Sequence, residues 1–451
     1  MTSLMMGVSG VRGVVGDTLT PDLVSRFSAA FGTYCGGGIV VIGRDARRSG
    51  PTMREAVAAG LTASGCRVID LGIVTTPTIQ FSVKRHNAQG GVAITASHNP
   101  INWNAMKFIG PSGVFLNSMQ GRKLIRIYKS RNIRYATWDR LGEVVTHPNA
   151  ASEHVEHILR VIDVEAISRK APVVAVDCCN GAPSEVMQVL LKRLGCRAIP
   201  VNCEVTGTFP RGPEPTASSL RDLSRNVIEA GADIGFATDP DGDRISMVTE
   251  KGVPLGEEYS VTLATEFVLE HKPGPVVTNV ATTRAVEDVA TRWGCPLVRS
   301  AVGEANVVEK MIQVGAVIGG EGNGGVINPA IQYARDGPAA TALILEGLCH
   351  SGRKLSILMK RLPKYCMIKN KVPCDPSRVK MLLNEVKEYF KGERVDLTDG
   401  IRVLRDSSWI YVRKSGTEPI VRVICEAKTK KEALRLSRKT TEFIQGSLCR
   451  G

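Results

Sequence analysis

A chain of 451 residues, 43% hydrophobic but only 5% aromatic and with 45 glycines, is too long for one core and has the make-up of an ordinary soluble α/β protein of three or four domains. No stretch is apolar enough for a membrane span, and MTSLMMGVSGVRG has no basic segment leading into an apolar run, so membrane and secreted classes are set aside and a cytoplasmic protein without a signal peptide is expected. The formal net charge of +14 suits an anionic partner, nucleic acid or a phosphorylated small molecule, without choosing between them.

Along the chain, three segments repeat one design: residues 39–72, 173–201 and 276–300 each give an apolar run, a polar turn, a helix-period segment, Gly-Cys and a second apolar run. Short β-branched runs flanking an amphipathic helix predict parallel strands, hence three related α/β domains with mixed or parallel sheets. The last segment differs. KNKVPC, GIRVLRD, SWIYVRKSG and PIVRVICEAKT read as grouped short strands followed by a helix from about Lys430, an α+β unit. Soft boundaries put the domains at 1–150, 151–253, 254–364 and 365–451. The basic runs GRKLIRIYKSRNIR (121–134) and KTKKEALRLSRK (428–439) read as helices with one solvated charged face, and neither has the interleaved aromatics of a nucleic-acid platform. Twelve cysteines lie mostly in or beside apolar segments with no C-x-x-C pair, which predicts buried reduced thiols rather than zinc or disulfides.

Four loops carry chemistry. After the strand-like GVAIT comes Ser97-His98-Asn99-Pro100, where a parallel sheet collects ligands. Ser97 reads either as a nucleophile or as a turn serine; His98 is a neighbour whose adjacency alone makes no triad, and Lys107 reads as a proton acceptor or a surface lysine. In DPDGDR, Asp239, Asp241 and Asp243 alternate in a turn and present three hard oxygen donors. A calcium EF-hand fails there because Arg244 stands where glycine is needed and both flanks read as strands, so a magnesium site with Arg244 as a phosphate donor is expected. GGEGNGGVINP offers Glu321 and Asn323 among glycines, a set suited to vicinal sugar hydroxyls. VRKSGTEPIVRV presents Arg413, Ser415, Gly416, Thr417 and Arg422 as a phosphate cradle, or as an ordinary hairpin turn. Together they describe phosphoryl transfer on a phosphosugar.

TASHNP, DPDGDR, GEGNGG and RKSGTEP, in this order and with GVSGVRG at the start, resemble the α-D-phosphohexomutases over essentially the whole chain, and within them the archaeal-type phosphoglucosamine mutases. The resemblance implies four domains around a central cleft and interconversion of hexose 6-phosphate and hexose 1-phosphate, best glucosamine phosphate, with glucose or mannose phosphate as the alternative. It implies Ser97 as the phosphoserine, with Asp239, Asp241, Asp243 and a phosphoserine oxygen holding one Mg2+ and a hexose bisphosphate as intermediate and activator. It implies Arg244 near that phosphoserine, Lys107 and Arg12 in proton transfer and charge stabilisation, Glu321 and Asn323 on sugar hydroxyls, and Arg413, Ser415, Gly416 and Thr417 on the distal phosphate. The chain departs from the pattern at Asn323 and Gly325, where many members carry Ser and His, which puts the second acid–base in doubt, and at Ala105, where glycine is common. The expected partner is a phosphosugar, with no nucleic acid and no membrane; the oligomeric state, a homo-oligomer included, stays open. Rival classes are a metal-dependent phosphatase, told apart by net phosphate release, and a basic nucleic-acid binder, told apart by salt-sensitive binding.

Overall fold

In the computed structural model, which describes residues 4–7, 10–415 and 419–449, each of the three repeats folds as strand, helix and parallel strand. Ile39–Arg44 pairs with Arg67–Ile73, Val173–Asp177 with Arg197–Val201, and Val276–Asn279 with Leu297–Ser300, all parallel. The intervening helices, Gly50–Ala63, Pro183–Arg193 and Ala285–Arg292, bury one stripe each: Met53, Val57 and Leu61 in the first, Val186 and Leu190 in the second, Val286 and Val289 in the third.

The repeat extends to side chains. Asp45, Asp177 and Asn279 each stand at the carboxyl end of the first strand, and their Oδ1 atoms accept the backbone N–H two residues on, at 3.0 Å from Arg47, 2.9 Å from Cys179 and 2.9 Å from Ala281. These are Asx turns, which bend the chain away from the sheet where it must leave it. The free end of each side chain engages a different partner: Arg47, Arg211 and Glu321.

The chain divides into two units, Met1–Phe267 with Asn323–Met359, and Val268–Gly322 with Lys360–Gly451. The first contains a seven-stranded mixed sheet in the order Met5–Gly7, Gly10–Val14, Trp103–Ile109, Gly90–Ile94, Ile39–Arg44, Arg67–Ile73, Val144–Thr146. Its central strand Gly90–Ile94 is buried at all five residues. The core beneath it is built by Phe27, Phe31, Val57, Leu61, Val92 and Phe108. A second mixed sheet orders Ile245–Thr249, Ile234–Thr238, Val173–Asp177, Arg197–Val201, with Ile245–Thr249 antiparallel at its edge. The basic run at 121–134 is helical only within Ser118–Lys129, opened by an Asn117/Gln120 capping box, and leaves the helix at Ser130.

In the second unit, Val276–Asn279 lies between Leu297–Ser300 and Ile318–Glu321, all parallel. The C-terminal segment forms a five-stranded antiparallel sheet, Cys366–Pro373, Ile420–Ala427, Ser408–Lys414, Ile401–Leu404, Arg394–Asp396. Two helices cover it, Lys430–Cys449 as expected and Val379–Tyr389, which the sequence reading missed. Its core is Val386, Val403, Val412, Val423, Leu436 and Ile444. Among the described residues no helix is long and apolar enough to cross a membrane.

Helix Gly50–Ala63 meets helix Pro21–Tyr34 at Gly60, where an added Cβ would lie 2.2 Å from the Ser25 carbonyl oxygen. Alanine gains about 1 kcal/mol of helix propensity over glycine, but the clash is with backbone and forces the helices apart at a cost of about 1–3 kcal/mol. Gly60→Ala is therefore expected to lower the thermal midpoint, against the propensity trend, and an unchanged or raised midpoint would show that the helices separate freely.

Candidate active site

Where the strand Gly90–Ile94 ends, the chain turns sharply: Ser97 has φ +48°, a left-handed conformation that costs a non-glycine residue about 1–3 kcal/mol. A buried polar set holds it there. The Ser97 N–H donates to Thr95 Oγ1 at 2.9 Å, and Thr95 Oγ1 donates to Asp45 Oδ2 at 2.6 Å. Arg47, fully buried, donates Nη2 to the carbonyls of Ser97 (2.6 Å) and Asn99 (2.8 Å), and Nη1 to those of Pro100 (2.6 Å) and Trp103 (3.1 Å). Its Nε pairs with Asp45 Oδ2 at 3.0 Å. One planar guanidinium thus fixes the whole loop that presents Ser97.

The hydroxyl points to a second strand end. Ser97 Oγ donates to Asp239 Oδ2 at 2.7 Å, while His98 Nδ1 is 3.4 Å from the same hydroxyl. Asp239, Asp241 and Asp243 follow strand Ile234–Thr238, are essentially unexposed, and hold one oxygen each within 4.8 Å of the others. Burial, then the charges of Asp241 and Asp243, push the Asp239 carboxyl well above its ordinary range. Burial pushes Asp241 the same way, but Lys107 and hydrogen bonds from its neighbours outweigh it and hold that carboxyl below the usual range. Oδ1 of Asp241 and Oδ1 of Asp243 are buried without a hydrogen bond. Three converging hard oxygens, two of them with capacity to spare, fit a magnesium ion.

Cationic groups surround the carboxylates. Lys107 Nζ lies 2.7 Å from Asp241 Oδ2 and 3.8 Å from Asp243 Oδ2. Arg244 lies 3.5 Å from Asp243 and 3.9 Å from Asp239, while its Nη1 donates to Glu214 at 3.1 Å. Antiparallel register sets Arg12 opposite Ala105 and Lys107 opposite Gly10, so Arg12 and Lys107 project from one face of the sheet. Arg12 Nη1 donates to Asn99 Oδ1 at 2.6 Å. The charge of Arg244, then burial and Arg12, drive His98 far below the ordinary imidazole range, so it is a neutral ring. Helix Thr76–Arg85 starts at the cluster, with Thr76 Oγ1 donating to Asp241 Oδ2 at 2.9 Å and the Thr76 N–H to the Asp241 carbonyl at 2.9 Å. A helix N-terminus favours the negative charge placed there.

Several of these residues escaped the sequence reading. Asp45 and Arg47 stood in a turn between strand and helix, and Thr76 began a helix whose signals, the Thr75 cap and Pro77, mark a helix start but not a site. Arg335, only 8% exposed, ion-pairs with Asp243 across 92 positions of sequence. Its stem occupies the space beside Gly325, where an added Cβ would sit 2.2 Å from Arg335 Cδ and 2.9 Å from its Cγ. Glycine at 325 is what lets this arginine reach the carboxylates. Asn323 Oδ1, one residue pair earlier, accepts the Gly325 N–H at 3.2 Å.

The remaining sequence-derived residues belong to the second unit. Glu321 Oε1 accepts from Asn279 Nδ2 at 2.6 Å and the Gly303 N–H at 2.9 Å. In the C-terminal sheet Arg413 is directly opposite Arg422, and Arg422 opposite Lys371, a row of three cations across adjacent strands. Like charges so aligned destabilise a sheet unless an anion is shared among them. Asp399 answers Arg413 at 3.1 Å. Ser415 is buried and its N–H donates to the Ile420 carbonyl at 3.0 Å. Gly416 and Thr417 lie outside the described residues.

Family models agree with the whole chain. Phosphoglucomutase/phosphomannomutase alpha/beta/alpha domain I matches residues 3–134, domain II 152–252, domain III 256–365, and the C-terminal domain 369–442. A probable phosphoglucosamine mutase of Methanopyrus kandleri is 38% identical, covering 97% of both chains. A phosphoglucomutase/phosphomannomutase of Thermococcus kodakarensis is 38% identical over 95% of this chain and 96% of its own. The crystal structure of a phosphoglucomutase/phosphomannomutase family protein from Burkholderia thailandensis superposes with a TM-score of 0.85 at 27% identity, covering 98% of this chain and 97% of that one.

The Gly325–Arg335 contact is testable by a mutant cycle. Gly325→Ala alone should destabilise by about 1–3 kcal/mol through overpacking. In an Arg335→Ala background most of that penalty should vanish, because the two residues share one space. Additive effects on unfolding would show that the contact does not exist.

Proposed function

The chain belongs to the phosphoglucomutase/phosphomannomutase family, and from that membership we propose that this phosphohexomutase interconverts glucosamine 6-phosphate and glucosamine 1-phosphate through a phosphoserine at Ser97. The observation that carries the role of Ser97 is its hydroxyl, 2.7 Å from Asp239 at the centre of the buried carboxylate cluster. Relatives with the two names reported above support glucosamine phosphate as the first substrate and glucose or mannose phosphate as the second.

In this reading a sugar hydroxyl attacks the phosphorus of phosphorylated Ser97. The new O–P bond forms as the P–Oγ bond breaks, and Ser97 Oγ leaves with the electron pair. The hydroxyl gives up one proton and Oγ takes one, so none is consumed, and Lys107 is the carrier. The resulting hexose bisphosphate then returns its other phosphoryl group to Ser97 by the same steps reversed. Asp239, Asp241 and Asp243 would hold a Mg2+ ion, which when bound supplies charge neutralisation at the transferring group. Arg244 and Arg12 face that group with bidentate donors and offset its developing charge. His98, a neutral ring, packs beside the serine with its Nδ1 3.4 Å from the hydroxyl. The fixed loop supplies positioning, which accounts for much of the rate in phosphoryl transfer.

Glu321 of the second unit and Asn323, with which the first unit resumes, are assigned to sugar hydroxyls. Arg413, Arg422, Ser415, Gly416 and Thr417 are assigned to the phosphate that is not reacting. A phosphosugar is the partner, consistent with a positively charged chain acting in the cytoplasm.

The test is isomerisation of glucosamine 6-phosphate, glucose 1-phosphate and mannose 1-phosphate, each with Mg2+ and a catalytic amount of the matching bisphosphate. Glucosamine phosphate is expected to show the highest kcat/KM, and a different ranking would replace the sugar without touching the mechanism. Ser97→Ala should lower turnover on the order of 10⁴-fold or more, as should removing Mg2+ with a chelator. Wild-type turnover in Ser97→Ala would overturn the phosphoserine, and net phosphate release would make the enzyme a phosphatase.

A further inference from the structure

At the far end of the helix whose first residue, Thr76, bonds Asp241, a second group of side chains with metal-ligand chemistry converges. Helix Thr76–Arg85 ends at His86; His147 follows the strand Val144–Thr146; Glu153 lies in the first turn of helix Ala150–Leu159. One ligand atom of each lies within 4.8 Å of the others, and the two rings meet edge to face with centroids 4.8 Å apart. His147 Nε2 is 3.2 Å from Glu153 Oε1.

The pattern of unmet bonding singles this cluster out. His86 Nε2 and His147 Nε2 are both buried atoms without a hydrogen bond. His147 Nε2 and Glu153 Oε1 are close without the geometry of a hydrogen bond, so two imidazole nitrogens and a carboxylate oxygen converge on one point. Buried polar atoms are rarely left so, and an ion is one of the standard explanations.

The donor geometry suits one class of ion. Two donors about 2.0–2.1 Å from a tetrahedral zinc stand about 3.4 Å apart, close to the His147–Glu153 spacing. Two imidazoles and one carboxylate, with a water in the fourth position, are a zinc donor set, whereas magnesium demands oxygens. Backbone anchors leave only the side chains to close: the His86 N–H donates to the Ser82 carbonyl at 2.9 Å, the His147 N–H to the Asp70 carbonyl at 2.8 Å, and the Glu153 N–H to the Asn149 carbonyl at 3.0 Å. Arg85 lies 3.9 Å from Glu153 Oε2 and leaves Oε1 for the ion.

We propose that His86, His147 and Glu153 bind a zinc-class divalent transition-metal ion that clips the edge strand Val144–Thr146 to the ends of two helices. That strand is exposed at all three residues and pairs on one side only, with Arg67–Ile73. The clip joins His86 and His147, 61 positions apart, at an edge strand that is itself exposed.

The experiment uses the full chain, stripped with a chelator and titrated with ZnCl2 by calorimetry in excess Mg2+. One tight equivalent is expected, weakened at least tenfold in His147→Ala and in Glu153→Gln, with a rise in melting temperature in the wild type that both variants lose. Co2+ in place of Zn2+ should give weak visible bands and no near-ultraviolet thiolate band. Absence of a stoichiometric site overturns the proposal. So does binding that His86→Ala and His147→Ala leave unchanged, or a thiolate band, which would assign the ion to cysteines.

Discussion

Three carboxylates buried at the end of one strand repel one another, and most of what surrounds them is the answer to that repulsion. Two like charges about 4 Å apart cost roughly 4 kcal/mol even at an effective dielectric of 20. The chain answers Asp239, Asp241 and Asp243 with Lys107, Arg244 and Arg335, each within 4 Å of at least one of them. A helix N-terminus adds its partial charge at Asp241. Such a site is poised for exchange: a divalent cation and a phosphate can enter together, since the first adds to the positive side and the second to the negative. The fold therefore stores, in fixed side chains, the charge pattern that phosphoryl transfer needs.

The same physics explains why the reactive loop is built so heavily. Ser97 sits in a strained conformation whose carbonyl neighbours would be orphaned without Arg47, and Arg47 would be a buried charge without Asp45. Removing any member leaves the others unpaired in the dry interior, so the loop has few alternative conformations. In the second repeat the equivalent acid, Asp177, pairs with Arg211, whose Nη2 also donates to the Thr238 carbonyl at 2.6 Å, just before the turn of three aspartates. In the third, Asn279 uses its amide to hold Glu321. One turn device, used three times, steadies three loops of different chemistry.

The C-terminal sheet solves an opposite problem. Lys371, Arg422 and Arg413 align across three strands with Asp399 as a counter-ion to Arg413. Three cations in one row concentrate positive charge at this edge of the sheet in a way that the net charge of the chain does not reveal. Lysines and arginines spread over exposed helices, such as Lys430–Cys449, contribute to the same total without forming a site.

Much of this was legible in the amino-acid order. The three strand–helix–strand units, the grouped C-terminal strands, the alternating aspartates and the serine at a strand end are local patterns, with periods of two and 3.6 residues or fixed spacings within a turn. Helix Val379–Tyr389 was missed although Val379, Leu382 and Val386 repeat with helical period, because it lies among grouped strand-like runs, and the end of the helix at Lys129 because basic residues continue past it. What no local pattern encodes is which charges meet. The pairing of Ser97 with Asp239, of Lys107 with Asp241, and of Arg335 with Asp243 spans 142, 134 and 92 positions. The need for glycine at 325 is likewise invisible to local pattern, being a matter of one side chain occupying another's space. The sequence by itself determined the elements, the reactive residue types and the family. Only the tertiary structure decided which cation neutralises which carboxylate, because electrostatic and steric complementarity depend on distance in space, which chain order does not record.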